Sequence, residues 1–386
     1  MMHRVRGLGL AATLVFFAPV AVVPKARAAS TPSTVAHVYI QVQGPEGAVY
    51  GYSASSTGKL SAISGSPFKL GTAIVGSTPT KFFTLGQTLL HSYKIGSNGA
   101  IGSQLGRAPI YDYSGSECGD STIKEYQEIN GAVLDHTGKY VYVLLQNGPN
   151  NCAAYQTYAI GSDGAFTFKG DIEQTGINIE PVTTSLGLPS ILSNETFGYG
   201  TEQSGHNLSV IGFRRESTGA LQWLQFTETD PPLNDNYWAA ASPDASPSGN
   251  YVAIQLYPGD SSPSYLGSYT VDSKGNLSTT NTTSNMPIEA GDFTKFAPSG
   301  KLLANWGGLQ QGITLYHFNG AAPLTLYKTL LSGATIDQVA WDSSNHLYAI
   351  SRTGNKLYVL TVTPTSTSED TSISIGSPLS LIVVSQ

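Results

Sequence analysis

One phrase recurs along this chain of 386 residues: a tight Gly-centred turn, then a basic or polar residue, then an apolar strand. It reads "LDHTGKYVYVLL" from Leu134, "ASPSGNYVAIQLY" from Ala245 and "FAPSGKLLANW" from Phe296. A second ruler runs beside it, a set of Gly-containing hairpins: "STGKL" at Gly58, "SNGAI" at Gly99, "SDGAF" at Gly164, "STGAL" at Gly219, "SKGNL" at Gly275 and "FNGAAPL" at Gly320. A degenerate copy, "PTSTSED", follows Pro364. Glycine is favoured there because a tight hairpin needs positive φ, which a residue with a Cβ tolerates badly. Seven units of about 51 residues, spaced unevenly, fit propeller blades whose insertions collect in loops.

The strands between these turns alternate with a period of two and are rich in Val, Ile, Tyr and Phe, as in "KYVYVLL", "NLSVIGF" and "KLYVLTV". Charged residues make up only 12% of the chain, about half the usual share, while Gly (42), Tyr (21) and Pro (21) are plentiful. A four-stranded sheet cannot bury both of its faces alone, but seven arranged radially can. The expected fold is therefore all-β: a seven-bladed β-propeller of four-stranded antiparallel blades. The second blade is the tightest, with "AIVGS", "KFFTLG" and "TLLHSYKI" supplying its first three strands. At the ends, "AHVYIQV" reads as a second strand with no first strand before it, and "LSLIVVSQ" as a spare strand after the fourth of unit seven. Closure of the first blade by the C-terminal strand follows, because it hides the open edges.

Residues 1–28 read as a secretory signal peptide, with a basic start (His3, Arg4, Arg6), the apolar run "GLGLAATLVFFAPVAVV" and "ARA" ending at Ala28. Residues 29–386 then form a single propeller domain, secreted or periplasmic, with no later membrane span. Removing the leader takes away Arg4, Arg6, Lys25 and Arg27, leaving 16 basic against 26 acidic residues. That balance disfavours nucleic acid as a partner. Cys118 and Cys152 are expected to form a disulfide in such a compartment, the alternative being two buried thiols.

The residues resemble the lactonase-like and YVTN-type seven-bladed propellers, whose repeats carry "PSGKYLYVAN", "YxIxxxGxL" and "GSPF" elements. Here these stand as "APSGKLLANW", "YKIGSNGAI", "YTVDSKGNL" and "GSPFKL" from Gly65, echoed by "GSPLSL" from Gly376. The resemblance covers essentially the whole chain after the leader and implies the fold. The enzymes among these relatives place Glu, His and Arg where blade loops converge, within strings such as an Asn-Glu strand ending. Here the only "NE", Asn194 to Glu195, falls in a first hairpin, and the matching strand ends carry Gln146, Tyr257 and Trp306. The family's catalytic set is therefore not carried over.

Loops between second and third strands, and loops between blades, emerge on one face of a propeller. The long ones belong to that set: "GRAPIYDYSGSECGDSTIKEYQEIN", "QNGPNNCAA", "TEQSGHN", "TETDPPLNDNYW" and "YPGDSSPSY". This elaborated face is the expected binding face. Its aromatics Tyr111, Tyr113, Tyr237, Trp238, Tyr257 and Trp306 suit a sugar, peptide or planar ligand, although Trp238 and Trp306 fit equally well between blades as core. The favoured function is a non-enzymatic, monomeric propeller binding a partner protein, glycan or small ligand there. The alternative is a lactonase-like hydrolase in which Glu202, His206 and Arg352 polarise an ester carbonyl and activate water. No cofactor and no metal site is expected: the seven histidines lack ligand spacing, and the oxygen-rich "ETDPPLNDN", from Glu228 through Asp230 to Asn236, lacks an EF-hand pattern.

Overall fold

The computed structural model describes residues 33–386 except 45–46, 112–126, 148–151, 174–183, 205–206, 225–237, 259–263, 283, 290 and 309. Ser33–Gln386 form one compact unit. Its strands make seven antiparallel sheets, and no helix occurs among the described residues. Blade I combines Pro378–Ser385, Thr34–Val42 and Ala48–Ser55 with a short outer strand. Blade II spans residues 73–109, blade III 127–173, blade IV 184–223, blade V 238–289, blade VI 293–330 and blade VII 338–374.

The ring closes as the chain ends imply. Pro378–Ser385 pairs antiparallel with Thr34–Val42, in a register running from Ala36 opposite Ser385 to Val42 opposite Pro378. The closing strand stands beside Ala73–Ser77 of blade II and Gln338–Trp341 of blade VII, so it takes the innermost place in blade I. The tight second blade is also as expected, with Ala73–Ser77, Lys81–Leu85 and Leu89–Ile95 as its first three strands. Three strands are broken where the sequence suggests one, among them blade V's outer strand, split into Leu277–Ser278 and Ile288–Glu289. Blade I's outer strand splits into Leu60–Ala62 and Phe68–Lys69 around Gly65 and Pro67, and blade IV's first strand splits into Thr184–Leu186 and Ser190–Ile191 around Gly187 and Pro189. Proline has no N–H to give to a ladder, and glycine lets the chain step sideways.

The recurring phrase is explained by what its strand does to the next blade. Tyr39, Tyr142 and Tyr199, each the buried tyrosine of a second strand, donate their hydroxyls to the carbonyls of Gly99, Gly219 and Gly275 in the following blade's hairpin, at 2.7, 3.2 and 2.8 Å. Burial pushes these phenols up, so they remain protonated donors. In blades II and V, which lack that tyrosine, a third-strand serine serves instead: Ser92 reaches Gly164 O at 2.6 Å and Ser268 reaches Ala322 O at 2.9 Å. At Gly219, φ is 90° and a Cβ would lie 1.9 Å from the Tyr140 ring, so both conformation and close approach require glycine. Between these polar links each pair of neighbouring blades shares an apolar cluster, such as Tyr142, Leu144, Tyr155 and Phe213 between blades III and IV.

Candidate functional site on the elaborated face

Second strands run toward the face that carries the connections between strands two and three and between blades, so residues at their ends meet the first residues of the innermost strands. Arg352 is one such residue, directly after His346–Ser351 of blade VII. Its backbone N–H donates to the Asp337 carboxylate at 2.5 Å, its Nε lies 3.9 Å from the other Asp337 oxygen, and it also donates to Pro378 O at 3.4 Å. Asp337 and Pro378 precede or open the innermost strands of blades VII and I. The guanidinium therefore sits at the inner rim, half exposed, and among the described residues its remaining N–H groups are available to meet a ligand oxygen.

Beside it on blade VI stands Phe293, 49% exposed at the start of an innermost strand. Its ring stacks on Trp306 at 5.8 Å, and the Trp306 Nε1–H donates to Asp337 O at 3.3 Å. A continuous chain of contacts, Phe293 to Trp306 to Asp337 to Arg352, thus joins an apolar surface to a cation. An aromatic face beside a guanidinium can hold the C–H face of a ring compound while the cation takes an oxygen. Sequence reasoning selected Arg352 and Trp306 but missed Phe293 and Asp337. The available signal was position: both stand at or next to the first residue of an innermost strand.

The other expected residues fall in different places. Trp306 is buried, within the apolar cluster shared by blades VI and VII, so of its two possible roles it fills the core one. Tyr111 is 47% exposed, packs on Phe168 at 4.8 Å, and has its backbone N–H and C=O both bonded to the buried Gln156 amide. It lies on the approach to blade III, on the far side of blades I and II from Arg352. Glu202 is on Phe197–Ser204 opposite Leu186 and Ser209, and Trp238 and Tyr257 are on the first two strands of blade V. Only the backbone of these three is described. Tyr113, Tyr237 and His206 lie outside the described residues, as does Cys118, so the expected disulfide to Cys152, the first residue of Cys152–Ile160, does too. The Glu228 to Asn236 stretch also lies outside them.

Among the described residues this face carries one histidine, His91, on blade II. Burial, aided by Arg107, holds its imidazole below the usual value, and so neutral near pH 7. Among the described residues no group of three His, Cys, Asp or Glu side chains could hold a metal ion, and no helix is long and apolar enough to cross a membrane.

No family model matches the chain, and no curated protein matches it in sequence. Solved structures do resemble it. A provisionally assigned 6-phosphogluconolactonase of Bacteroides fragilis superposes with a TM-score of 0.62 at 13% identity, over 92% of this chain and all of that one. The periplasmic gluconolactonase of Pseudomonas aeruginosa gives 0.62 at 13% identity, over 91% of this chain and 99% of its own. A protein from Lactobacillus plantarum gives 0.62 at 12%, over 92% and 100%. At such identities the likeness concerns architecture, and what it establishes is that this chain has the fold of the lactonase-like seven-bladed β-propellers.

Proposed function

We propose that the chain is a hydrolase of lactones or related cyclic esters that works on its elaborated face. The observation that supports this most is the half-exposed Arg352 guanidinium, fixed by Asp337 at the inner rim beside the exposed ring of Phe293. The structural neighbours bearing gluconolactonase names share the fold and add to the case. In this reading Arg352 donates to the lactone carbonyl oxygen and stabilises the negative charge that grows there on attack, while Phe293 packs against the sugar ring. Glu202 or His206, from the end of blade IV's second strand and the connection after it, takes the proton from the attacking water and returns it to the ring oxygen as the acyl C–O bond breaks. Residues 1–28 are a cleaved export leader in the same reading, and the mature chain is secreted or periplasmic.

The test is hydrolysis of a panel of γ- and δ-lactones by the purified mature chain. Turnover that falls about 100-fold or more in Arg352→Ala supports the reading, because removing one preorganised donor to a growing oxyanion costs about that much. Circular dichroism must show the variant folded. No turnover of any lactone by the wild type would sink it. A second reading, a binding protein without catalysis, is favoured by a specific fact: Arg352 is already engaged by a carboxylate and a carbonyl. That reading expects a glycan or small ligand to bind wild type and to lose affinity in Phe293→Ala, with no product formed.

A further inference from the structure

Blades V and VI meet differently from their neighbours. Asp244 of blade V pairs with Ala253 in register and accepts the Phe296 N–H of blade VI at 2.6 Å, and Phe296 pairs with Leu303. Ala253, Phe296 and Leu303 belong to one apolar cluster between the two blades. Two residues further toward the elaborated face, on the same sides of the same strands, stand Gln255 and Asn305, both with no exposed surface. Among the described residues, both polar atoms of the Gln255 amide and the Asn305 Oδ1 have no hydrogen-bond partner. Gln310 reaches over the same place, donating to Asn305 O at 3.2 Å and to Thr314 Oγ1 at 2.8 Å, and its own buried Oε1 is unpartnered too.

The same place in the ring shows what a partnered amide looks like. Gln41 occupies it at the seam of blades I and II, two residues beyond Tyr39. There its Nε2 donates to Thr72 O and its Oε1 accepts from the Ile74 N–H, both at 3.2 Å, and from Ser380. Ile74 pairs with Thr84, as Thr294 pairs with Asn305. Blade VI thus carries the larger Asn305 where blade II carries Thr84. The Thr84 hydroxyl and the His91 Nδ1 are unpartnered at that level of the first seam, but its glutamine is fully used.

Leaving a buried donor or acceptor unmet costs about 1–3 kcal/mol per group, so several in one spot call for a guest. The chemistry of the four atoms selects its class. Gln255 Nε2 is a donor, while Gln255 Oε1, Asn305 Oδ1 and Gln310 Oε1 are acceptors. A cation would satisfy only the oxygens and an anion only the amide N–H groups. A neutral hydroxyl both gives and takes. We infer that the seam between blades V and VI is a buried binding site for hydroxyl groups, formed by Gln255, Asn305 and Gln310. Gln310 lies in "GGLQQG", the connection after the Asn305 strand on the elaborated face, where Gly307, Gly308 and Gly312 all have positive φ. The hydroxyls come either from solvent water or from a small polyol.

The sign of a stability change tests this. Gln255→Leu and Asn305→Leu remove amides at nearly constant volume. If a guest binds them, each variant lowers the thermal midpoint by about 2 °C or more. If the amides are simply unmet, removing them raises the midpoint or leaves it unchanged, and the inference falls. Water magnetic relaxation dispersion on the full mature chain separates the sources. A long-lived water signal in wild type that shrinks in Gln255→Leu identifies water. A wild-type midpoint that glycerol or glucose raises further than that of the variant identifies a polyol. Should the variants fail to fold, wild type alone decides: neither a long-lived water nor stabilisation by these two polyols beyond that by sucrose overturns the site.

Discussion

The seam between blades VII and I and the seam between blades V and VI use similar residues to opposite effect. At the first, Gln338 donates to Leu381 O and accepts from the Leu381 N–H, at 3.1 and 2.8 Å, and Ser385 Oγ accepts the Ser343 N–H at 2.8 Å. Asp342 accepts from buried His346 at 2.7 Å and from Tyr348 at 2.9 Å, and the Tyr348 ring packs among Ala36, Val38 and Ile40. At the second seam, Gln255, Asn305 and Gln310 leave four buried atoms unmet. At the VII–I seam the Gln338 and Ser343 links join residues 42–43 apart, but Tyr348 packs on Ala36, Val38 and Ile40, about 310 residues away in sequence, so loop-closure entropy must be overcome. Blades V and VI adjoin in sequence, so chain connectivity holds them together and leaves their polar groups available for other uses.

The largest expected effect comes from breaking the first seam. Deleting residues 378–386 removes the innermost strand of blade I together with the partners of Gln338 and Ser343. The loss should exceed the roughly 5–15 kcal/mol by which a domain is stable. Far-UV circular dichroism should then show no cooperative thermal transition, and a synthetic peptide of the deleted strand should restore one in part. A truncated chain that melts like wild type would show that the ring does not depend on its closing strand.

Next in size is Asp342→Ala, expected to cost about 3–5 kcal/mol because it strands His346 and Tyr348 in the interior. The tie also sets a pH window. Burial works against the Asp342 charge, but hydrogen bonds from His346 outweigh it and lower its pKa from 3.8, so this contribution is present above about pH 4 and is lost as pH falls through the lowered value. The Asp342 hydrogen bond raises the His346 pKa from 6.5, so that contribution is complete below about 6.5 and is lost as pH rises through the raised value. Urea unfolding of wild type should show a stability maximum between these limits that flattens in Asp342→Ala. The V–VI amides do not titrate and should show no such window.

Much of this was legible in the sequence. The hairpin glycines from Gly58 to Gly320 marked six blades and the degenerate "PTSTSED" the seventh, because backbone sign and period are local properties. The closing strand was legible because a second strand without a first must borrow one. The pairing of Arg352 with Asp337, and the stacking of Phe293 on Trp306, were not, since they depend on which strand ends adjoin at the rim. Nor could Gln41 and Gln255 be told apart. Both sit at the same place in the repeat, and only the neighbouring blade decides whether an amide finds a backbone edge.

That difference gives a third, smaller effect. Gln41→Leu removes three hydrogen bonds and leaves the Ile74 N–H without its acceptor, so it should cost about 2–3 kcal/mol. Gln255→Leu, which takes away contacts to an exchangeable guest only, should cost less. Equal losses in paired thermal melts would erase the distinction between a clamp and a binding site.

The last expected effect concerns the seam between blades III and IV, where a charge lies inside. Glu195, in a left-handed turn position with φ of 63°, pairs with Arg215, which also holds Asp135 at 2.8 Å and lies over the Tyr140 ring. Burial first, and then the negative Asp135 beside it, push the Glu195 carboxyl up to about 7, and Arg215 only partly offsets them. A carboxyl with a raised pKa keeps its proton in the folded state over a range where the unfolded chain has released it. Stability therefore falls as pH rises from about 4.5 to 7 and stays level above that. Glu195→Gln keeps the shape of the side chain and cannot ionise, so its unfolding free energy should lose this downward slope. Urea denaturation of both proteins at pH 5, 6, 7 and 8 reads the result directly. Curves that run parallel over that range would mean that Arg215 neutralises Glu195 fully and that this seam is indifferent to pH.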